Sequence, residues 1–344
     1  MALNNNIILK AILTVALATA VPAVASSCKG GGSTTENKNS DSISGISHKG
    51  GKIGGPQLGS PGGGPAIDKS ADATLQAMIK AVVPEFKQFS FSDTVTGKSM
   101  AYNLFVPKEA STSGNLPLVL FIADASTPGS DIARPLTQGY GALVWATDDF
   151  QNANPCYVLV PQFSGVAVND AYQHTDEVDI VIRLLRSIVA DRNIDSNRLY
   201  TTGQSMGGMI SMYYNIEYPD LFAASVFVDC HWDTEKFDKL ARHTFTYITA
   251  GKSGSSFGNI NALEKAAEKD GVKYEYATWS AKLPIEQQDS LAQALLDRGA
   301  QVNIINFTPR SVLPDDGKGS EHMYSFDYAY RLSPVREWLF RQHK

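Results

Sequence analysis

Gly203-Gln204-Ser205-Met206-Gly207 sets a serine between two glycines, with the β-rich run "RLYTT" before it and the apolar stretch "SMGGMISMYYNIEYP" running on from it. This is the G-x-S-x-G pattern in the context it requires, a strand entering a tight turn that opens into a helix. The glycines keep Cβ atoms away from the turn, and the serine hydroxyl projects at a helix N-terminus, where amides and dipole favour negative charge. A glycine-rich turn capped by a serine has the same local pattern, but the strand before and the helix after make Ser205 the candidate nucleophile. A serine hydroxyl is weakly nucleophilic and needs a base to take its proton. Attack on a carbonyl also builds charge on the substrate oxygen, which calls for two backbone N–H donors. Met206, directly after the serine, is one. The other is expected from the turn "FIADASTPG", from Asp124 or Ala125.

On this arrangement the partners follow in the order serine, acid, histidine. Of the six histidines, His48 lies in a Gly/Ser-rich stretch, His343 at the chain end and His174 before the serine. His231 follows the apolar run "VFVD", and His243 precedes "TFTYITAG". His322, in the polar, glycine-containing stretch "GKGSEHMYSFDYAY", is expected in a late loop, where the base belongs, with His231 as the alternative.

The elements that must position these groups alternate. "FKQFSFSD" and "SMAYNLFVP" flank "TVTGK" as a hairpin. "LPLVLFIAD" and "CYVLVPQF" are continuous apolar runs, expected of strands covered on both faces. Thr175–Ala190 has helical spacing of Val178, Val181, Ile182, Leu185 and Ile188, with acidic residues in its first turn. Strands "RLYTTG", "FAASVFVD", "TFTYITAG", "VKYEYATW" and "QVNIINFT" follow, with helices after the serine and at Ile260–Lys269, Ile285–Arg298 and Pro334–Gln342. Strands alternating with helices predict an α/β fold with a mainly parallel sheet and helices on both faces. Ligands of such sheets bind outside the carboxyl ends of the strands. The stretch from "YEYATW" to "INFT" is long enough to add a further helix and strand beside the cleft.

"TTGQSMGGMISMYYNIEYPDLFAA" together with "EHMYSFDYAYRLSPVREWLF" resembles the α/β-hydrolase esterases of the polyhydroxybutyrate-depolymerase and feruloyl-esterase type, and within them an exported bacterial esterase and predicted-peptidase subgroup. The likeness covers nearly all of residues 86–344. It implies the α/β-hydrolase fold and ester hydrolysis through an acyl-enzyme, with Ser205 and His322 as nucleophile and base. In that family the acid usually follows the strand corresponding to "TFTYITAG". Here the loop reads "GKSGSSFGN" and holds neither Asp nor Glu. The acid is then expected one strand earlier, at Asp229 or Asp233. A neutral Ser253 or Asn259 behind the histidine is a second reading, and a surface binding protein that has lost catalysis a third. The resemblance leaves the substrate open: acetyl or feruloyl esters of polysaccharide, short-chain esters, or peptides.

Ile7–Val21 is apolar apart from Lys10 and leads to "AVA", a secretory signal over 1–25 with an A-x-A cleavage pattern. "AVASSC" before "KGGGS" is similar to a bacterial lipoprotein signal, which would lipidate Cys28 and attach the protein to a membrane surface. Cleavage after Ala25 is the alternative. Residues 26–66 are dominated by Gly, Ser, Asn and Pro and are expected to be a disordered tether, leaving one domain over 67–344. A net charge of −5 with no basic cluster argues against a nucleic-acid partner. No metal-ligand spacing, P-loop or dinucleotide fingerprint appears, so no cofactor is expected. Cys156 and Cys230 fall on separated strands and are expected as buried free thiols. Trp145, Trp232 and Trp279 are candidates for stacking on a ring of the substrate or for the core.

Overall fold

The computed structural model describes residues 66–111, 114–251 and 254–344. The expected signal, lipidation site and tether, with Cys28 and His48, fall almost wholly outside these residues, as does Ser253.

In chain order the strands are β1 Lys87–Ser92, β2 Ser99–Phe105, β3 Leu116–Ile122, β4 Tyr157–Pro161, β5 Ile194–Gln204, β6 Ala224–Val228, β7 Phe245–Ala250, β8 Tyr274–Trp279 and β9 Val302–Phe307. They form one sheet in the order β1-β2-β4-β3-β5-β6-β7-β9-β8. The β1–β2 hairpin and the β2–β4 pair are antiparallel, and every other pair is parallel. The α-helices among the described residues are α1 Ala73–Val82, α2 Arg134–Thr137, α3 Tyr140–Leu143, α4 Asp148–Ala153, α5 Asp176–Asp191, α6 Met206–Glu217, α7 Phe237–Leu240, α8 Ser255–Asp270, α9 Ile285–Leu296, α10 Glu321–Arg331 and α11 Ser333–Phe340.

The sequence of β3 shows why the sheet is buried on both sides. Side chains alternate between faces along a strand. Leu116, Leu118, Leu120 and Ile122 enter one core with the apolar stripe of α5 and the buried helix α6. Val119, Phe121 and Ala123 enter the other with Met323, Phe326 and Tyr330 of α10 and Val335, Trp338 and Leu339 of α11. A strand buried on both faces needs a continuous apolar run, and all seven residues of β3 are buried.

The structure decides between some expectations and corrects one. The additional helix and strand are α9 and β8; β8 lies at the sheet edge beyond β9, and neither contributes a residue to the lining of the cleft at the site. His322 is not in a loop: it stands in the first turn of α10. Of the two readings for Trp145, Trp232 and Trp279, the core is the one found: all three are buried and none offers an open stacking face. Cys156 and Cys230 are free and buried. Burial pushes the Cys156 thiol up to about 12 and raises Cys230 as well, which leaves both unreactive at neutral pH.

Candidate active site

Strand register assembles the site before any side chain is considered. Ile122 pairs with Gly203, Gln204 with Val228, and Val228 with Ile248. Asp124, Ser205, Asp229 and Thr249 therefore leave the carboxyl ends of four neighbouring parallel strands at one level.

At Ser205 the chain turns from β5 into α6 with φ 50° and ψ −121°, a region closed to most side-chain-bearing residues. The glycines make room for this turn. A Cβ at Gly203 would meet the Gly207 carbonyl carbon at 2.3 Å, and one at Gly207 would meet the Ile122 carbonyl oxygen at 1.9 Å. The Ser205 N–H donates to the Val228 carbonyl at 3.0 Å, which fastens the turn to β6.

His322 reaches this serine from the other face of the sheet. Its Nε2 lies 2.9 Å from Ser205 Oγ, and its Nδ1 lies 3.4 Å from Asp229 Oδ1. Such contacts tighten as charge develops on the ring. Asp229, directly after β6, has φ 39° and is almost wholly buried. Its carboxylate is held by donors from two further elements: Thr249 Oγ1 at 3.1 Å to Oδ1, and Ser325 Oγ at 2.7 Å to Oδ2. Burial pushes the Asp229 carboxyl up, but the facing imidazolium of His322 and the hydroxyls of Ser325 and Ser256 outweigh it and leave the pKa below the ordinary carboxylate value. Burial likewise pulls the His322 ring down, and the Asp229 charge more than offsets it, so the ring ends above its ordinary value. A serine hydroxyl, an imidazole and a carboxylate in this order can move the serine proton to the ring and stabilise the imidazolium that results.

The other acid candidates stand elsewhere. Asp233 caps a short 3₁₀ turn, its carboxylate accepting from the Glu235 N–H at 3.0 Å, and is not the residue behind His322. Asn259 is buried on α8, with no hydrogen bond to His322. His231 turns its Nε2 toward Asp170, at 3.3 Å, rather than toward Ser205.

On the donor side, Met206 opens α6, so its N–H belongs to the first helical turn, which has no intrahelical acceptor. The Ala125 N–H donates to no group among the described residues. The Asp124 side chain has a separate task that the sequence did not reveal. It accepts from Gln204 Nε2 at 2.8 Å and from the Ser126 N–H at 2.7 Å. It thereby ties the turn after β3 to the residue preceding the nucleophile. Ser205, Asp229 and His322 open on a cleft of about 440 Å³. Among the described residues no cluster of His, Cys, Asp and Glu has the makings of a metal site.

A mixed sheet with two antiparallel strands at one edge, a strained serine at the centre of its carboxyl end, and a histidine delivered after the last strand decide the architecture. The fold is that of an α/β-hydrolase. Residues 169–306, less than half of the chain, match the prolyl oligopeptidase family; the match contains Ser205 and Asp229 and stops short of His322. Among solved structures, a thermostable esterase is 25% identical, with a TM-score of 0.58 over 76% of this chain. The chain spans 64% of the length of that structure. A ferulic acid esterase is 11% identical over 74% of this chain and 98% of its own, with a TM-score of 0.47. A comparison with curated proteins returned no match.

Proposed function

We propose that the protein is a serine hydrolase that cleaves carboxylic esters through an acyl-enzyme. The contact series Ser205–His322–Asp229 at the floor of an open cleft carries this reading. His322 Nε2 takes the hydroxyl proton as Ser205 Oγ attacks the ester carbonyl. The oxyanion that forms accepts from the Met206 N–H and from Ala125 or Asp124 on the turn after β3. His322 then returns the proton to the leaving alkoxide, the alcohol departs, and water releases the acid by the same route. Asp229 holds the ring orientation and stabilises its charged form throughout.

The ester as substrate is supported by the likeness to the thermostable esterase. Acetyl or feruloyl esters of polysaccharide, or short-chain esters, follow from the sequence resemblance together with the export signal. The partial match to the prolyl oligopeptidase family favours a second reading, peptide hydrolysis. Hydrolysis of p-nitrophenyl acetate and of peptide p-nitroanilides separates the two. The expected result is ester turnover that falls about 10⁵- to 10⁶-fold in Ser205→Ala and in His322→Ala. Turnover of the anilides alone would move the assignment to peptidase. Neither turnover nor labelling of Ser205 by a fluorophosphonate would leave a binding protein. Export, and attachment through a lipidated Cys28, are part of the same proposal. Membrane fractionation of wild type against Cys28→Ala tests them.

A further inference from the structure

His231, two residues after Asp229, lines the cleft that Ser205 and His322 open on, and the reaction sequence above gives it no task. Its Nε2 lies 3.3 Å from Asp170 Oδ1, and the side chain is 16% exposed. A neutral imidazole whose Nε2–H faces a carboxylate carries its lone pair on Nδ1. Burial lowers the pKa of this ring despite the opposing pull of Asp170, which favours that neutral form. Among the described residues no group donates to Nδ1.

The Asp170 side of the contact is built with care. Residues 169–173 form a turn closed by the Val168–His174 bridge. Asn169 Oδ1 accepts from the backbone N–H groups of Ala171 and Gln173, each at 3.1 Å, which leaves Asp170 at the apex. Tyr172 adopts φ 61°, a conformation that costs a non-glycine residue about 1 kcal/mol or more and persists only where its surroundings impose it. In that conformation its ring lies edge-on to His231 at 6.0 Å and tilted against buried Trp232 at 5.3 Å. The imidazole is thus held at one nitrogen and along its ring in a residue that lines the cleft, and its other nitrogen accepts from no described residue.

We propose that His231, its tautomer set by Asp170, is a specificity residue that accepts a hydrogen bond from a hydroxyl group of the substrate. The proposal rests on the cleft being an ester-hydrolysing site. The hydroxyl belongs to the acyl part, as in a phenolic acid, or to the alcohol part, as in a sugar or glycerol; the chemistry presented to Nδ1 is the same. A site that hydrogen-bonds a substrate hydroxyl disfavours the analogue without it, because its own polar atom is then left unpaired.

Two matched pairs of esters test this. Methyl 4-hydroxycinnamate against methyl cinnamate places the hydroxyl in the acyl part, and glyceryl monoacetate against propyl acetate places it in the alcohol. For each pair the ratio of kcat/KM values, normalised to alkaline hydrolysis of the same two esters, is measured in wild type, His231→Phe and Asp170→Ala. Wild type should favour the hydroxylated member of one pair by about 3- to 10-fold, the range of one neutral hydrogen bond. The ratio should fall to about 1 in His231→Phe and should decline in Asp170→Ala, and the pair that responds locates the hydroxyl. A wild-type ratio near 1 in both pairs, or one that survives His231→Phe, overturns the proposal. If wild type hydrolyses none of the four esters and a fluorophosphonate leaves Ser205 unlabelled, the ester reading itself fails and takes this proposal with it.

Discussion

Two neighbouring strands end in the same unusual way and are held there by opposite means. Ser205 after β5 and Asp229 after β6 stand at one level of the sheet, and both occupy the left-handed region that side chains avoid. The serine turn is enforced locally: glycines within two residues on either side vacate space that backbone atoms then fill. The Asp229 turn has no glycine beside it. Distant hydroxyls hold it, Thr249 from twenty residues on and Ser325 from ninety-six. One geometry is written into a pentapeptide, and the other exists only once β7 and α10 are in place.

The sharpest test of the difference is Asp229→Asn. The amide keeps the shape of the side chain but loses the charge that favours the imidazolium, and kcat should fall about 10⁴-fold. The pH profile should move with it. His322 acts as base only when deprotonated, so kcat/KM should rise with pH through a midpoint above 6.5 in wild type. In Asp229→Asn burial is opposed only by the charges of Asp124 and Asp170, and the midpoint should fall. A midpoint that stays in place would show that Asp229 does not set the charge of the ring.

Gly207→Ala attacks the other turn. Its Cβ would fall 1.9 Å from a backbone oxygen of β3, and backbone cannot step aside as a side chain can. The expected loss is more than about 4 kcal/mol of stability, measured by urea unfolding. Thr249→Val should do less and do it differently. It removes one donor to a buried carboxylate at a cost of about 1–3 kcal/mol, read as a kcat reduced about tenfold with KM little changed. The smallest effect separates the two turns most cleanly. Ser205→Gly abolishes activity but relieves the left-handed strain, so stability should rise by about 1 kcal/mol. Asp229→Gly relieves the same kind of strain and should still destabilise, because it leaves the buried Thr249 hydroxyl without its acceptor. Equal outcomes for the two glycine variants would erase the distinction.

The same contrast explains what could be read from the chain. Ser205 and the expectation of a sheet buried on both faces came from local pattern: a pentapeptide, and apolar runs such as Leu116–Ile122. The choice between Asp229 and Asp233 could not be made that way, since both follow β6 and only the fold reveals which of them Thr249 and Ser325 approach. Gln204 bonding to Asp124 escaped for the same reason, being a contact across two strands. The helix under His322 is a different case. Met323, Phe326, Ala329 and Tyr330 recur at helical spacing and are buried, a signal obscured by the polar, glycine-containing approach to it. The α1 helix ahead of the hairpin was missed because few of its positions are buried.

Helix α10 carries the base and, one turn later, the serine that grips the acid, and near its end Tyr330 bonds to Thr202 of β5 at 3.0 Å. A shift of one residue along such a helix would turn His322 by about 100° away from Ser205. Three side chains on a single rigid rod therefore index the rod against the sheet, whatever length of chain delivers it. Whereas Ser311, Val312 and Leu313 before it are buried, the largely exposed stretch from Pro314 to Gly319, which also borders the cleft, is released from that duty of spacing. Residues can be inserted, removed or exchanged there to refit the mouth of the cleft to a new substrate, and the proton-transfer geometry at its floor will not register the change.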